Sequence, residues 1–341
     1  QSTRASPAAT RAGSYSDAVR RAAPAVVSVL TSKDVKVPQH PFFNDPLFRR
    51  FFGDGGGEES QRASGLGSGV IVSARGYILT NHHVVEAADD IEVGLADGKK
   101  LRAKVIGTDQ ETDLAVLQVD GADLPAITFG QVEDAKVGDV VLAIGNPFGV
   151  GQTVTMGIVS ALGRSGLQIN TYENFIQTDA AINPGNSGGA LTDSVGNLIG
   201  INTAIYSRTG GSLGIGFAIP VSTAKQVMEQ IIATGRVTRG WIGVEAQEIS
   251  PELAESFRLP STTGALIAGV LKGSPADRAG VKPGDILISI GARPVTDPTA
   301  MLNIVAGLAP GKAAAVRLRR DQKEIELQVE VGRRPPAQRR R

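Results

Sequence analysis

Residues 181–190 read AINPGNSGGA and place one serine, Ser187, between an Asn-Pro-Gly approach and a Gly-Gly exit. Glycine allows backbone angles that other residues resist, and it lets main-chain N–H groups come close to a ligand. The pattern fits an ordinary tight turn. It also fits a nucleophilic serine whose nearby amides, those of Gly185 and Ser187, stabilise an oxyanion. This second interpretation predicts a histidine and an acid elsewhere in the chain.

The chain has three histidines, His40, His82 and His83. His40 falls in a Pro/Gly-rich aromatic loop, whereas the other two follow YILTN, a stretch that predicts a strand. Because successive strand residues face opposite sides, only one of His82 and His83 is expected to face a given site. The sequence has neither an HExxH motif nor cysteine, so we expect no metal and no organic cofactor.

The candidate acids lie in GTDQETDLAVLQV, residues 107–119. Asp113 directly precedes an apolar strand, where it can be anchored and shielded from water, while Asp109 is interpreted as a turn residue. The chain order is then a histidine (His82 or His83), Asp113 and Ser187, which is the order of chymotrypsin-like double barrels. Short strands separated by turn signals fill the chain from Leu66 to Ile219 and favour the same architecture.

The composition is consistent with two or three domains, since the 341 residues include 41% hydrophobic residues. The net charge of +1 gives no overall attraction to nucleic acid or to an anionic membrane. The absence of cysteine excludes disulfides and thiolate catalysis. No apolar run approaches the ~18 residues of a membrane span.

Two helices are expected near the ends of the strand-rich region. One begins after Tyr15, with Ser16 as a candidate N-cap, and the other runs from Ser222 to Thr234, with Ser222 as cap and Gly235 as stop. The carboxy-terminal RRPPAQRRR is interpreted as a solvated basic tail rather than a nucleic-acid site, because no aromatic residues lie among its arginines.

Three stretches, TNHHVV, TDLAVL and GNSGGAL, resemble the histidine, aspartate and serine motifs of the HtrA/Deg family of serine proteases. The resemblance runs from about Tyr15 to Val331 and is especially specific in GLGSGVI and QTDAAINPGNSGGAL. It implies that His83 is the general base, Asp113 its orienting partner and Ser187 the nucleophile. It also implies that Gly185, Asn186 and Ser187 frame the oxyanion hole. His82 receives no catalytic role.

The carboxy-terminal module resembles a PDZ domain, with WIGV in place of the carboxylate-binding loop of that fold. The loop residues Trp241, Ile242, Gly243 and Val244 are therefore predicted to bind a peptide carboxylate while the peptide adds a strand to a sheet edge. Without the resemblance, GWIGV also fits a buried first strand. The predicted architecture is mainly β. Its parts are a disordered segment (1–14), a chymotrypsin-like double β-barrel protease domain (15–236), one PDZ domain (237–332) and a basic tail (333–341).

Six positions before Ser187, where trypsin-like proteases carry an aspartate, this chain has Ala181. A small apolar pocket is expected, and the resemblance suggests Ile182, Ile205 and Tyr206 as its lining. Cleavage after Val, Ala or similar residues is predicted.

The start of the chain and its single PDZ module are most similar to the DegS/AlgW branch. Members of that branch are membrane-anchored, trimeric periplasmic proteases that cut an anti-sigma factor during envelope stress. The resemblance implies a periplasmic homotrimer, anchored in the inner membrane by a segment outside this chain and activated by carboxy-terminal peptides of misfolded envelope proteins. Tyr15 and Phe148 are candidate trimer contacts. Arg164 either relays peptide binding to the oxyanion loop or is a solvent-facing loop residue. Broad quality-control proteolysis and a non-cutting peptide-sensing scaffold are the alternatives.

Overall fold

The structure, a computed structural model, describes most of the two predicted domains. The described residues are 13–34, 62–86, 88–121, 123–146, 151–183, 185–205 and 213–335. Several predictions fall outside these ranges: those for residues 1–12, the aromatic loop with His40, Phe148, Pro184, Tyr206 and residues 336–341 of the tail.

Six antiparallel strands close into a first barrel in the order β1-β2-β3-β6-β5-β4. They are β1 (Val26–Asp34), β2 (Arg62–Ile71), β3 (Tyr77–Thr80), β4 (Asp90–Gly94), β5 (Lys100–Asp109) and β6 (Leu114–Val119). Aliphatic side chains such as Val29, Ile78 and Leu117 are fully buried in this half. β-branched and aliphatic residues favour strands, which explains why these stretches extend.

A second closed barrel follows, with the order β10-β11-β12-β9-β8-β7. Its strands are β7 (Val140–Gly145), β8 (Thr153–Arg164), β9 (Phe175–Thr178), β10 (Ala190–Thr192), β11 (Leu198–Ile205) and β12 (Gly216–Pro220). Its core includes Val141, Val159, Ile176 and Leu191. The predicted mainly-β double barrel is confirmed.

The carboxy-terminal region folds around a six-stranded antiparallel sheet in which β14, β15, β16, β18 and β19 follow one another and β17 pairs with β16. The strands are β13 (Gly240–Trp241), β14 (Val244–Gln247), β15 (Ala265–Val270), β16 (Ile286–Ile290), β17 (Arg293–Pro294), β18 (Ala313–Arg320), β19 (Lys323–Glu330) and β20 (Gly332–Arg333). β13 and β20 form a separate pair. Among the described strands, β14 pairs only with β15, so its other edge is open.

Six helices accompany these sheets in the described residues. They are α1 (Ser16–Ala22), α2 (His82–Val85), α3 (Val221–Thr234), α4 (Pro251–Ser256), α5 (Pro275–Ala279) and α6 (Pro298–Ala306). None of them is long and apolar enough to cross a membrane.

The predicted stop of α3 is confirmed, but both predicted serine caps are wrong. Gly235 has φ 75°, and its N–H donates to the Ile231 carbonyl at 2.7 Å, as expected for a left-handed helix end. Ser222 is already inside α3, whose cap position is Pro220, and Ser16 is the first residue of α1. Neither helix start has a side-chain cap, because proline or tyrosine occupies the position where a capping oxygen would lie.

The chain divides into two compact units. The first contains both barrels and α3, and the second contains Ser165–Glu173 together with Arg236–Arg341. The short segment that leaves β8 and returns to β9 therefore groups with the carboxy-terminal unit, although it lies within the range predicted for the protease domain. The predicted domain boundary at 236/237 remains a prediction.

Candidate active site

Asp113 organises one side of the site through both its main chain and its side chain. It has φ 59°, a left-handed conformation that aspartate tolerates better than most residues. Its carbonyl oxygen accepts from the His82 N–H at 3.1 Å and from Asn81 Nδ2 at 2.9 Å. Its carboxylate Oδ1 accepts from the His83 N–H at 2.9 Å. Asp113 thus anchors the first turn of α2, as an acid at a helix start is expected to do.

The two histidines lie on this short helix rather than at the end of a strand. The prediction that only one of these histidines faces a given site was based on strand alternation. That basis is wrong, because His82–Val85 is helical. His83 Nδ1 lies 2.7 Å from Asp113 Oδ2, and its side chain is 48% exposed. His82 points elsewhere, with both ring nitrogens buried. The structure thus pairs the predicted acid with the predicted histidine.

Thr203, which the sequence alone does not single out, links this pair to Ser187. The Thr203 hydroxyl donates to Asp113 Oδ2 at 2.8 Å, while its carbonyl oxygen accepts from Ser187 Oγ at 3.2 Å. Thr203 lies at a register shift between Asn202 and Ala204 in β11. Bulges re-aim a residue in this way and often lie beside functional sites. The motif GINTAI would have been the only sequence signal.

The Asp113 carboxyl is held in its charged form. Its burial raises the pKa, but hydrogen bonds from His83 and Thr203 and the nearby imidazole charge outweigh the burial, so the pKa of Asp113 lies below its ordinary value. Asp109, the rejected candidate, is the last residue of β5 rather than a turn residue, and its carboxylate pairs with the Thr112 hydroxyl.

The glycines that follow Ser187 are required by packing against backbone. A Cβ at Gly188, where φ is 83°, would lie 2.1 Å from the Ser68 carbonyl oxygen, and one at Gly189 would lie 2.3 Å from the Ile144 carbonyl oxygen. Real side chains do not approach backbone so closely. The glycine-rich exit therefore serves the close approach of β2 and β7 to the loop, and the prediction that these two glycines give a ligand access is replaced by this packing requirement.

Two amides of the loop have no partner within the described chain. The Gly185 and Ser187 N–H groups donate no hydrogen bond there, whereas the Asn186 N–H donates to the Asn183 carbonyl at 3.0 Å. Gly185 adopts φ 100°, which only glycine takes readily. Of the three residues predicted for the oxyanion hole, Gly185 and Ser187 thus have free donors, and the amide of Asn186 is occupied.

The predicted pocket residues are only partly described. Ile182 is 1% exposed and belongs to the core of the second barrel, so it can form only the floor of a pocket. The side chain of Ile205 and all of Tyr206 lie outside the described atoms. Arg164 ends β8, where its exposed side chain donates from Nε to Gln177 Oε1 at 2.9 Å.

The WIGV loop joins β13 to the edge strand β14. Trp241 lies in β13, and Val244 begins β14. Gly243 has φ 78°, and neither its amide nor that of Ile242 donates a hydrogen bond within the described chain. The Ile242 side chain is 3% exposed and lies in the core of this unit, so this residue presents only its backbone. Free amides beside an open edge suit a carboxylate-terminated peptide.

The trypsin-like peptidase domain family matches residues 67–201, and the PDZ domain family matches residues 240–331. A Hahella chejuensis protein named as a probable periplasmic serine endoprotease, DegP-like, is 47% identical over 330 residues, which cover 94% of this chain and 70% of the relative. A Chlamydia trachomatis protein of the same name is 48% identical over 299 residues, covering 86% of this chain and 60% of the relative.

A solved structure of the HtrA-type protease AlgW with a decapeptide has a TM-score of 0.80 and 55% identity, and the match covers 95% of this chain and all of that one. The two barrels and the carboxy-terminal sheet described above agree with the two family matches and with the identities to these relatives. The chain therefore belongs to the HtrA family of serine proteases, with a trypsin-like peptidase domain followed by a PDZ domain.

Proposed function

We propose that this serine protease is a periplasmic endopeptidase controlled by peptide binding to its PDZ domain, with His83, Asp113 and Ser187 as its catalytic triad. One observation carries the assignment of the triad. The Asp113 carboxylate contacts His83 Nδ1 at 2.7 Å and the Thr203 hydroxyl at 2.8 Å, and the Thr203 carbonyl accepts from the Ser187 hydroxyl. Three residues far apart in sequence are thus joined by a continuous chain of hydrogen bonds.

Each residue then has a defined role in peptide cleavage. The Ser187 hydroxyl rotates from the Thr203 carbonyl to His83 Nε2, gives up its proton and attacks the scissile carbonyl carbon. Asp113 stays ionised, holds the Nδ1 proton of His83 and stabilises the imidazolium that forms. The imidazolium passes the proton to the leaving amine, and water releases the acyl group by the same steps. In unliganded enzymes the serine–histidine contact is often not yet made, so the resting bond to Thr203 is compatible with this role.

The oxyanion that forms in each step is placed beside the Gly185 and Ser187 amides. Both donors are unused within the described chain, and Gly185 adopts φ 100°. Each such donor is worth about 3–4 kcal/mol of transition-state stabilisation. Asn186 contributes by shaping the loop, since its own amide is bonded to Asn183.

Specificity for small aliphatic residues is proposed because position 181 carries alanine where trypsin-like proteases carry an aspartate. An arginine or lysine side chain entering this pocket would lose its hydration without gaining a partner charge. A pocket floored by the buried side chain of Ile182 would accept Val or Ala, and the family resemblance adds Ile205 and Tyr206 as proposed lining residues. Cleavage of a peptide library checks this, and a preference for basic residues before the scissile bond would contradict it.

The PDZ module is proposed to bind the carboxy-terminus of a peptide at Trp241, Ile242, Gly243 and Val244. The unused amides of Ile242 and Gly243 would receive the carboxylate, and the open edge of β14 would pair with the peptide backbone. The AlgW structure with a decapeptide supports this mode by analogy.

Peptide control is supported by the course of the chain after Arg164. The next residues, Ser165–Glu173, belong to the same compact unit as the PDZ sheet. In that unit Asn303 Nδ2, on α6, donates to the Glu173 carbonyl at 2.9 Å. The guanidinium carbons of Arg239 and Arg334 lie 4.5 and 5.4 Å from the centre of the Tyr172 ring. Peptide capture can act only by favouring one of two loop states. We propose that Arg164 transmits that preference to the oxyanion loop.

The assembly and substrate are proposed from the same family relationship. We propose a periplasmic homotrimer, with Tyr15 and Phe148 as contacts, that is anchored to the inner membrane and cleaves an anti-sigma factor in the envelope-stress response. General protein quality control is the second candidate, because the curated relatives are named DegP-like.

A cleavage assay separates the two candidates. Wild type and Ser187→Ala are incubated with an unfolded protein or with the periplasmic fragment of an anti-sigma factor, each with and without a peptide ending in an aromatic or aliphatic residue. Peptide-dependent cleavage of the fragment alone supports the regulatory role. Rapid, peptide-independent cleavage of the unfolded protein supports quality control, and cleavage that survives in Ser187→Ala would contradict the triad.

A further inference from the structure

Ser68 lies at the centre of a contact between the two barrels that the catalytic roles above do not explain. It is fully buried, in the middle of GLGSGVI, and all of its polar atoms are bonded. Its N–H donates to the Ser187 carbonyl at 2.8 Å, and its carbonyl accepts from the Thr80 hydroxyl at 2.7 Å. Its hydroxyl accepts from the Asn146 N–H at 2.8 Å and donates to the Gly185 carbonyl at 2.5 Å.

We propose that the Ser68 hydroxyl is a positioning group for the oxyanion hole, acting through the backbone of Gly185. This inference rests on the proposed role of Gly185 as an oxyanion donor. Ser68 forms hydrogen bonds to main-chain groups of Ser187, Gly185 and Asn146 and to the Thr80 hydroxyl, and not to the side chains of the proposed triad. It holds the peptide unit that carries the Gly185 carbonyl and the Asn186 N–H.

The geometry of the loop shows why an outside contact is needed. The peptide unit between Asn186 and Ser187 is fixed by the loop itself, because the Asn186 carbonyl accepts from the Gly189 N–H at 2.9 Å. The preceding unit is fixed at one end by the bond from the Asn186 N–H to the Asn183 carbonyl. At the other end its carbonyl accepts from the Ser68 hydroxyl, 117 positions away in sequence, and from no other group among the described residues. The Ser68 hydroxyl therefore fixes the peptide unit that lies between the Gly185 and Ser187 N–H groups. Through the Gly185 Cα this limits the direction of the Gly185 N–H, which belongs to the peptide unit before it.

The bond from Asn146 sets the direction of the Ser68 hydroxyl. A hydroxyl has one proton to donate and lone pairs that accept. Because the Asn146 N–H occupies an acceptor position, the single proton is free to point at Gly185. Asn146 directly follows β7, so the hydroxyl ties the end of that strand to the oxyanion loop. Its removal would leave two buried backbone groups without a partner, at a cost of about 1–3 kcal/mol for each.

The surroundings of Ser68 exclude much movement. A Cβ at Gly67 would lie 2.6 Å from Val84 Cγ1, and one at Gly69 would lie 2.8 Å from Ile78 Cγ2. The backbone on either side of Ser68 is therefore closely packed, and the hydroxyl is presented from a fixed position. This accounts for the order glycine, serine, glycine in the motif.

Steady-state kinetics of Ser68→Ala, with Ser28→Ala as matched control, test the inference. Ser28 is also a buried serine of the first barrel, but its hydroxyl lies 3.5 Å from its nearest acceptor, the Gly94 carbonyl. We expect Ser68→Ala to lower kcat by about tenfold to a hundredfold, less than the hundredfold to thousandfold loss of an oxyanion donor itself. KM should change by less than about threefold. Inhibition by a peptide boronate, which places an oxygen in the hole, should weaken in parallel with kcat/KM. Ser28→Ala should leave all three unchanged.

A second pair of variants covers the case in which Ser68→Ala does not fold. Ser68→Cys keeps a weak donor of similar shape, so its kcat is expected to lie between those of wild type and Ser68→Ala, and Ser28→Cys is its control. Equal kcat values for the variants at positions 68 and 28 would overturn this inference but leave the proposed function standing. Cleavage by wild type that does not depend on Ser187 would overturn the proposed function, and this inference with it.

Discussion

Asp113 combines a positive φ with a carboxylate that contacts the His83 N–H, His83 Nδ1 and the Thr203 hydroxyl. The two are related, because the left-handed turn before β6 brings its carbonyl and its carboxylate to the same helix start. Asparagine also tolerates positive φ, so Asp113→Asn removes the charge while keeping the turn. This residue therefore offers a clean test of the electrostatics of the site.

We expect the stabilising effect of the Asp113 charge to disappear in acid. Its folded-state pKa is below the ordinary value of 3.8, so the contribution to stability is present above that value and is lost as the pH falls through the folded-state pKa. The free energy of unfolding of wild type should exceed that of Asp113→Asn near pH 5, and the gap should shrink below about pH 4. Urea unfolding at several pH values measures this. A gap that stays constant down to pH 3 would contradict the sign.

At the level of elements, the contact between β2 and the Ser187 loop accounts for Gly188. Gly188 and Gly98 have nearly the same backbone angle, φ 83° and 85°, but a Cβ has no room at the first and meets nothing within 4 Å at the second. Both alanine variants incur the strain of a left-handed residue, about 1–2 kcal/mol.

Gly188→Ala should in addition suffer overpacking of about 1–3 kcal/mol and lose most of its activity, because the loop must move away from Ser68. Gly98→Ala should keep full activity. Thermal unfolding and peptide cleavage of the two variants check this, and an active Gly188→Ala enzyme would show that the loop tolerates displacement.

The same comparison is available in the PDZ sheet. Gly243 and Gly273 have φ 78° and 76°. A Cβ at Gly243 would lie 2.3 Å from Ser274 Cβ, whereas a Cβ at Gly273 would meet nothing within 4 Å. Gly243→Ala should distort the loop before β14 and weaken peptide binding at least about tenfold, or 1.4 kcal/mol. Gly273→Ala should bind as wild type does. Calorimetric titration with a peptide ending in a free carboxylate gives the result, and equal affinities would remove the loop from the binding site.

The fold could be predicted from residue types that are tied to chemistry, whereas groups whose roles depend on tertiary contacts could not. The chain order histidine, aspartate, serine was enough for the double barrel, because it distinguishes this architecture from the subtilisins and the α/β-hydrolases. Thr203 and Ser68 were missed because threonine and serine in strands are common, and their roles depend on a bulge in β11 and on the approach of β2 to a distant loop. The helix at His82 was missed because its start is stabilised by Asp113 rather than by a local cap.

At the scale of the whole molecule, the proposed control by peptide requires a route from the carboxy-terminal unit to the oxyanion loop. Arg164 is the last residue before the segment that belongs to that unit. We expect Arg164→Ala to keep basal cleavage but to lose stimulation by a carboxy-terminal peptide, because the peptide can act only through a contact that differs between the two states.

Arg102 is a suitable control for this experiment, since it is an exposed arginine on β5 of the first barrel that pairs with Asp90. Cleavage rates with increasing peptide concentration compare the two variants. Stimulation of Arg164→Ala equal to that of Arg102→Ala would remove Arg164 from the route and leave it as a surface residue.

The packing of Gly188 on the Ser68 carbonyl also restricts how this protein can be recombined with its relatives. A chimera in which the two parental sequences join between β2 and the Ser187 loop takes the two contacting residues, Ser68 and Gly188, from different parents. Any difference between the parents in the position of β2 would then displace the backbone around Ser187. Productive crossovers should therefore lie before residue 67 or after residue 189, so that one parent supplies both surfaces.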